Sequence, residues 1–190
     1  MRIFLAALTL ALPLASFADQ AHVGRRAPGF ALPDLNINYH DLADYRGKVV
    51  LLDFIKTACP VCQSSQKIYE TIRLKYPDKV AVLAIVLPPD TQETVRAFVT
   101  ANSMKTPTLF DCGQATASYL KLSPTRSTIT FPNLFLIDGN GIIRGHHEYA
   151  PGQEKYFEQL DPLLNEVEAL VKGGAAKPAG PAAPKPPAKK

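Results

Sequence analysis

Two thiols separated by two residues, in Cys59-Pro60-Val61-Cys62, have the spacing needed to open and close a disulfide. Proline is well tolerated at the first helical position, so Pro60 predicts a helix with Cys59 as its N-cap and Cys62 in its first turn. Unpaired amides and the positive helix end stabilise an anion there, which makes Cys59 the nucleophile. Side chains three apart at a helix start lie on one side, and a non-helical N-cap lets the sulfurs approach to bonding distance. Cys62 then displaces whatever Cys59 has captured, and it must first lose its own proton while buried. Asp53, the charged residue in the apolar run before the pair, is the candidate base, because a dry site raises a carboxylate's proton affinity. The plainer role for Asp53 is a carboxylate satisfied by local hydrogen bonds.

The third cysteine, Cys112, has two readings: a small buried apolar thiol, or a further redox thiol that receives a disulfide from the pair. A structural zinc site is a weaker alternative for the cysteines. Zinc wants four ligands and a second Cys-x-x-Cys is absent, so Cys112 with His146 or His147 would have to complete the set. Lys56 either favours the Cys59 thiolate by charge or is a solvated lysine at a strand end.

These side chains need a frame. Val49 to Ile55 is an apolar, branched run after a Gly-Lys turn, the pattern of a strand buried on both faces. A helix follows from about Pro60 to Tyr76, with Val61, Ile68 and Ile72 on one face. A second buried strand spans Val80 to Leu87, and a helix Thr91 to Ala101. Thr108-Leu109-Phe110 then leads through Asp111-Cys112-Gly113 into a helical pattern from Gln114 to Leu120. Leu134 to Ile137 and Ile142 to His146 flank Asp138-Gly139-Asn140-Gly141, strong hairpin chemistry that predicts an antiparallel pair. Tyr156, Leu160, Leu163, Leu164, Val167 and Val171 repeat at helical spacing, with Asp161-Pro162 suited to the first turn of a last helix. The expected fold class is α/β, a mixed β-sheet with helices on both faces.

The ends of the 190-residue chain read differently. Arg2, the apolar run Ile3 to Leu14 and Ser16-Phe17-Ala18 have the composition of a signal peptide over residues 1–18; an uncleaved anchor is the alternative, although the run is short of the roughly 20 apolar residues that span a bilayer. Residues 173–190 contain only Gly, Ala, Pro and Lys and read as a disordered tail, which leaves residues 19–172 as one domain. The formal charge is +4, and setting aside the four tail lysines and Arg2 leaves −1. A nearly neutral surface is a poor match to phosphate backbones and argues against nucleic acid as a partner.

Taken together, these residues resemble the thioredoxin superfamily, specifically the TlpA/ResA group of bacterial periplasmic thiol-disulfide oxidoreductases and the wider redoxin (AhpC/TSA-related) family. The likeness runs from about Val23 to Leu170. It begins with Gly24-Arg25-Arg26-Ala27-Pro28-Gly29-Phe30 and the residues up to Leu35, which resemble that family's entry strand, and continues through Leu42 to Lys48. The resemblance implies a thioredoxin-like fold with the N-terminal extension and central insertion of this group. It implies that Asp53 is the buried acid of thioredoxin itself, and that Pro132 is a cis-proline facing the cysteines. Phe131, with Pro132, Pro60 and Val61, would then bind an extended substrate segment through its backbone; an ordinary trans proline at a strand start is the alternative.

Three departures stand out. Ala58 replaces the usual aromatic residue before the first cysteine, Ser65 replaces an acidic residue of ResA-like proteins, and Ser123 to Thr130 is longer than usual. The implied function is a monomeric, periplasmic enzyme without metal or cofactor that reduces disulfides of exported proteins and is recharged by a membrane or periplasmic thiol donor. The alternatives are a peroxiredoxin-like thiol peroxidase, against which stands Lys56 where that family wants Thr or Ser three residues before the reactive cysteine, and a non-catalytic redox-sensitive binding module.

Overall fold

The computed structural model describes residues 22–125 and 127–173. The leader expected over 1–18 and the tail beyond Gly173 lie outside the described residues. In chain order the elements are β1 (Ala31–Pro33), β2 (Tyr39–Asp41), a 3-10 turn (Leu42–Tyr45), β3 (Val49–Ile55), α1 (Pro60–Lys75), β4 (Val80–Val86), α2 (Gln92–Ala101), β5 (Thr108–Phe110), α3 (Gln114–Leu120), β6 (Asn133–Ile137), β7 (Ile143–Glu148), α4 (Lys155–Glu158) and α5 (Leu160–Lys172).

Five strands form one sheet in the order β5-β4-β3-β6-β7, so the strand that leads to the cysteines is central. β3 and β4 run parallel, as do β4 and β5, while β6 is antiparallel to both β3 and β7. Every residue of β3 and β4 is buried, which explains why both are apolar throughout except at Asp53. The pleat splits them between two layers. Leu51 packs with Leu134 and Leu136 of β6 against Tyr69 and Ile72 of α1, Phe157 of α4 and Leu163 and Val167 of α5. Leu52 and Phe54 face the other way, toward Phe135, Tyr119 and Leu120. A third cluster, Ile55, Val86, Val95, Phe98 and Met104, seats α2 beside Cys62.

Turn chemistry sets the joints. Asp138 Oδ1 accepts from the N–H groups of Asn140 and Ile142, and Gly141 takes φ +72°, closing the β6–β7 hairpin. Thr91 caps α2 through a reciprocal pair with Thr94. Among the described residues no helix is long and apolar enough to cross a membrane.

Three expectations need correction. The helical repeat from Tyr156 is broken at Gln159, whose backbone is extended (φ −126°, ψ 140°). Pro162 has no N–H to donate to Glu158 and its ring would meet that carbonyl, so α4 and α5 separate there. The N-terminal likeness yields a three-residue strand, β1, which pairs with β2, while Arg26 ahead of it makes an isolated antiparallel bridge to Ile142 beside β7. The inward face of α1 is built on Cys62, Ser65, Gln66, Tyr69 and Ile72, with Val61 and Ile68 only half-buried.

Phe135 touches Phe54, Tyr119 and His146 at ring-centroid distances of 5.9, 5.1 and 4.2 Å. Truncating it leaves a cavity that this rigid sheet cannot close, so Phe135→Ala is expected to lower unfolding free energy by about 3–5 kcal/mol, read from urea denaturation.

Candidate active site

β3 ends at Ile55, and after three intervening residues the chain enters α1 through Cys59, whose extended backbone (φ −90°, ψ 115°) makes it the N-cap. Its Sγ accepts the Cys62 N–H at 3.3 Å, and its carbonyl accepts the Gln63 N–H at 3.2 Å. Pro60 takes the first helical position, where a missing N–H costs nothing. The approach loop is tied from outside. Asp90 accepts from the Thr57 N–H at 3.1 Å and from the Thr57 hydroxyl, and the Gln63 amide donates to the Thr57 carbonyl at 3.2 Å. These contacts fix where the N-cap sulfur stands.

Across from it, the Phe131–Pro132 peptide is cis, and the Phe131 carbonyl oxygen lies 3.9 Å from Cys59 Sγ. The Pro132 carbonyl is taken by the Tyr149 N–H at 3.1 Å. Lys56 places its Nζ 4.8 Å from the centre of the Phe131 ring, so its cation is engaged with that aromatic face. A cavity of about 400 Å³ opens beside them, lined by Lys56, Leu87, Pro88, Leu122, Ile129 and Phe131. The Ser123–Thr130 stretch, of which Arg126 lies outside the described residues, supplies Ile129 to that wall. The Pro88–Pro89 peptide is cis as well.

Beneath the pair the surroundings are dry. Cys62 is fully buried, whereas Cys59 is half-exposed. Burial pushes the Cys62 thiol far up, and the nearby Asp53 charge and the hydrogen bond with Cys59 push it further. Asp53 is also fully buried, and burial lifts its carboxyl well above the usual range. Three groups pull it part of the way back: the Asn133 N–H at 3.1 Å, the Tyr69 hydroxyl, and the Gln66 Nε2 at 3.1 Å. The Tyr69 hydroxyl adjoins the carboxyl without forming a well-directed hydrogen bond. Asp53 is therefore both desolvated and hydrogen-bonded. Ser65 is buried and donates to the Cys62 carbonyl at 3.1 Å, and Ala58 is exposed.

Gln66, Tyr69, Asn133, Thr57 and Asp90 were not singled out from sequence. The first two carried a legible signal, since positions 62, 66 and 69 fall on one helical face and a glutamine among apolar neighbours there needs a buried partner.

Cys112 is exposed, not buried. Asp111 takes the inward position instead, accepting from the N–H groups of Ala115 and Thr116 and from the Thr116 hydroxyl, and so turns its neighbour outward. The zinc alternative fails on topology. Cys112 follows the edge strand β5, whereas His146 and His147 sit on β7 at the opposite edge. His146 stacks on Phe135, and His147 pairs with Glu166 at 2.9 Å.

The AhpC/TSA family model matches residues 23–146, well over half of the chain. The chain belongs to the AhpC/TSA family. It is 30% identical over 153 residues to the thiol-disulfide oxidoreductase ResA of Bacillus thuringiensis (strain Al Hakam), a match covering 80% of this chain and 83% of that protein. It is 29% identical over 140 residues to the thioredoxin-like protein YneN of Bacillus subtilis (strain 168), covering 73% and 78% respectively. A candidate thiol:disulfide interchange protein DsbE from Chlorobium tepidum superposes with a TM-score of 0.64 at 26% identity, over 78% of this chain and 97% of that one. This AhpC/TSA member is thus a redoxin of the thioredoxin superfamily and a thiol-disulfide oxidoreductase.

A carboxyl held above its unfolded value binds a proton in the folded state that the unfolded chain has already released. Asp53 therefore costs the folded state nothing below the unfolded carboxylate range, and lowers stability as pH rises above it. The slope is at most about 1.4 kcal/mol per pH unit for one proton. Asp53→Asn is expected to flatten that slope and to raise the melting temperature at neutral pH, measured by thermal unfolding from pH 5 to pH 8.

Proposed function

We propose that this protein is an extracytoplasmic disulfide reductase that acts on exported proteins through a Cys59 mixed disulfide. The observation that carries the reading is the asymmetry of the two thiols. Cys59 is reachable, with a helix-end N–H on its sulfur and the Phe131 carbonyl opposite, while Cys62 is sealed beside Asp53.

The Cys59 thiolate attacks one sulfur of the substrate disulfide, forming the Cys59–substrate bond and releasing the other substrate sulfur as a thiolate that takes up a proton. Cys62 then passes its proton to the Asp53 carboxylate and attacks Cys59 Sγ. The Cys59–Cys62 bond forms, the Cys59–substrate bond breaks, and the second substrate sulfur leaves with the electron pair and is protonated. Two electrons have moved from the dithiol to the substrate, and a membrane or extracytoplasmic thiol donor restores them. During attack the Phe131–Pro132 corner binds the substrate backbone alongside Cys59 in strand-like fashion, with Pro60 and Val61 forming the near rim.

The direction of electron flow follows from what stabilises the reduced form. Strongly oxidising pairs hold their thiolate with extra positive charge, but here Pro60 and Val61 carry none and the Lys56 cation lies over Phe131. The compartment is inferred from Arg2, the apolar run Ile3 to Leu14 and the small residues ending at Ala18. Equilibration against glutathione buffers, read by thiol alkylation, tests the direction. A potential near thioredoxin's roughly −270 mV is expected, and one approaching the roughly −120 mV of DsbA would overturn a reductase assignment.

A further inference from the structure

The base in this mechanism must be stable both with and without its proton, although it is shut off from water. Asp53 Oδ1 is held by the main-chain N–H of Asn133, a donor that cannot change its role. Oδ2 is held by a side chain that can. Gln66 is 1% exposed, its Nε2 donates to Asp53 Oδ2 at 3.1 Å, and its Oε1 is buried with no hydrogen-bond partner among the described residues. A buried amide oxygen left unmatched costs free energy that a native interior ordinarily avoids. One simple event would satisfy it. If the carboxyl carries a proton on Oδ2, rotating the amide by a half turn brings Oε1 to that O–H as acceptor.

The surroundings permit the rotation. Gln66 forms part of the wall of a cavity of about 300 Å³ between α1 and the chain after α2, with Glu70, Leu74, Ser103 and Met104. The terminal torsion of glutamine is soft and roughly two-fold. We infer that Gln66 is the positioning residue for Asp53, donating to the ionised carboxyl and turning to accept from the protonated one. This rests on the reading of Asp53 as the base that takes the Cys62 proton. It gives that proton a defined seat, on Oδ2, on the side of the carboxyl that the fixed Asn133 amide does not hold.

Of the other groups around the carboxyl, the Tyr69 hydroxyl can also donate or accept, but it makes no well-directed hydrogen bond to Asp53, whereas Gln66 already does. From α1, Cys62 and Tyr69 face Asp53, and Ser65 is committed to the Cys62 carbonyl. From β6 comes the Asn133 N–H, whose own side chain is bonded to His146 at 2.8 Å. The charged residues that share the cavity wall with Gln66 are Lys67, Glu70, Arg73 and Lys105; Glu70 is paired with Arg73 at 2.7 Å and accepts from the Thr106 hydroxyl.

The test follows the Asp53 carboxyl directly, by carbon NMR of labelled protein through a pH titration, and follows release of a preformed Cys59 mixed disulfide by stopped flow. Gln66→Met keeps the length and removes both hydrogen-bonding atoms. It is expected to move the Asp53 midpoint upward and to slow release about tenfold at a fixed pH below that midpoint, since both bonds are lost and the one to the ionised form, being charge-assisted, is the stronger. The full wild-type protein supplies a second readout that does not depend on how the variant folds. Its Gln66 side-chain NH2 resonances are expected to shift with the same midpoint as Asp53. A midpoint and release rate unchanged in Gln66→Met, or Gln66 resonances that ignore the titration of Asp53, would overturn the assignment. The titration needs no turnover, so failure of the exchange chemistry itself would appear separately, as absence of mixed-disulfide release in the wild type.

Discussion

A carboxyl group in the middle of a strand with no exposed residue is the constraint around which this molecule is arranged. β3 is central, flanked by β4 and β6, so Asp53 has no route to water along the sheet. Its oxygens must be met by the protein, and they are, by a main-chain N–H from β6 and an amide from α1. Because strand side chains alternate, Asp53 points to the α1 layer, while Leu52 and Phe54 point to the layer beneath α3. The same strand then ends two residues later and delivers the chain to Cys59. Asp53, the buried Cys62 and the exposed Cys59 are thus ordered by one strand and one helix start.

That ordering separates the two sulfurs by environment. Cys59 meets solvent, a helix-end amide and the Phe131 carbonyl; Cys62 meets Ile55, Ala84, Val86 and Val95. Cys59 is the more exposed of the two sulfurs, and Cys62 is the one that feels the Asp53 charge. The loop before Cys59 does not rely on its own three residues for shape, because Asp90 reaches across to hold Thr57. The chain after β4 therefore contributes to the site twice, through Asp90 and through the Leu87-Pro88 wall of the adjoining groove.

Much of this was legible from local signals. The apolar run of β3, proline directly after Cys59, the Asp138–Gly141 turn and the residues around Pro132 each carry their meaning within a few positions. What was not legible depends on contacts distant in sequence. Nothing near Gln66 says that an aspartate 13 residues earlier will be its partner, and nothing near Thr57 indicates Asp90. Cys112 shows a different limit. Cysteine is often buried, but Asp111 beside it has stronger inward claims, since its carboxylate caps the start of α3 and burying both would require the chain to turn in twice. The break before α5 was signalled by Pro162, although the apolar repeat continues through it.

The division of labour between the sulfurs is most directly examined by intact-mass spectrometry of the Cys62→Ser variant after incubation with an oxidised, disulfide-bonded protein. With the displacing thiol gone, the account predicts a one-to-one adduct that maps to Cys59 and is released by dithiothreitol. An adduct that forms instead on Cys62 in the Cys59→Ser counterpart, or on Cys112 in either variant, would contradict it.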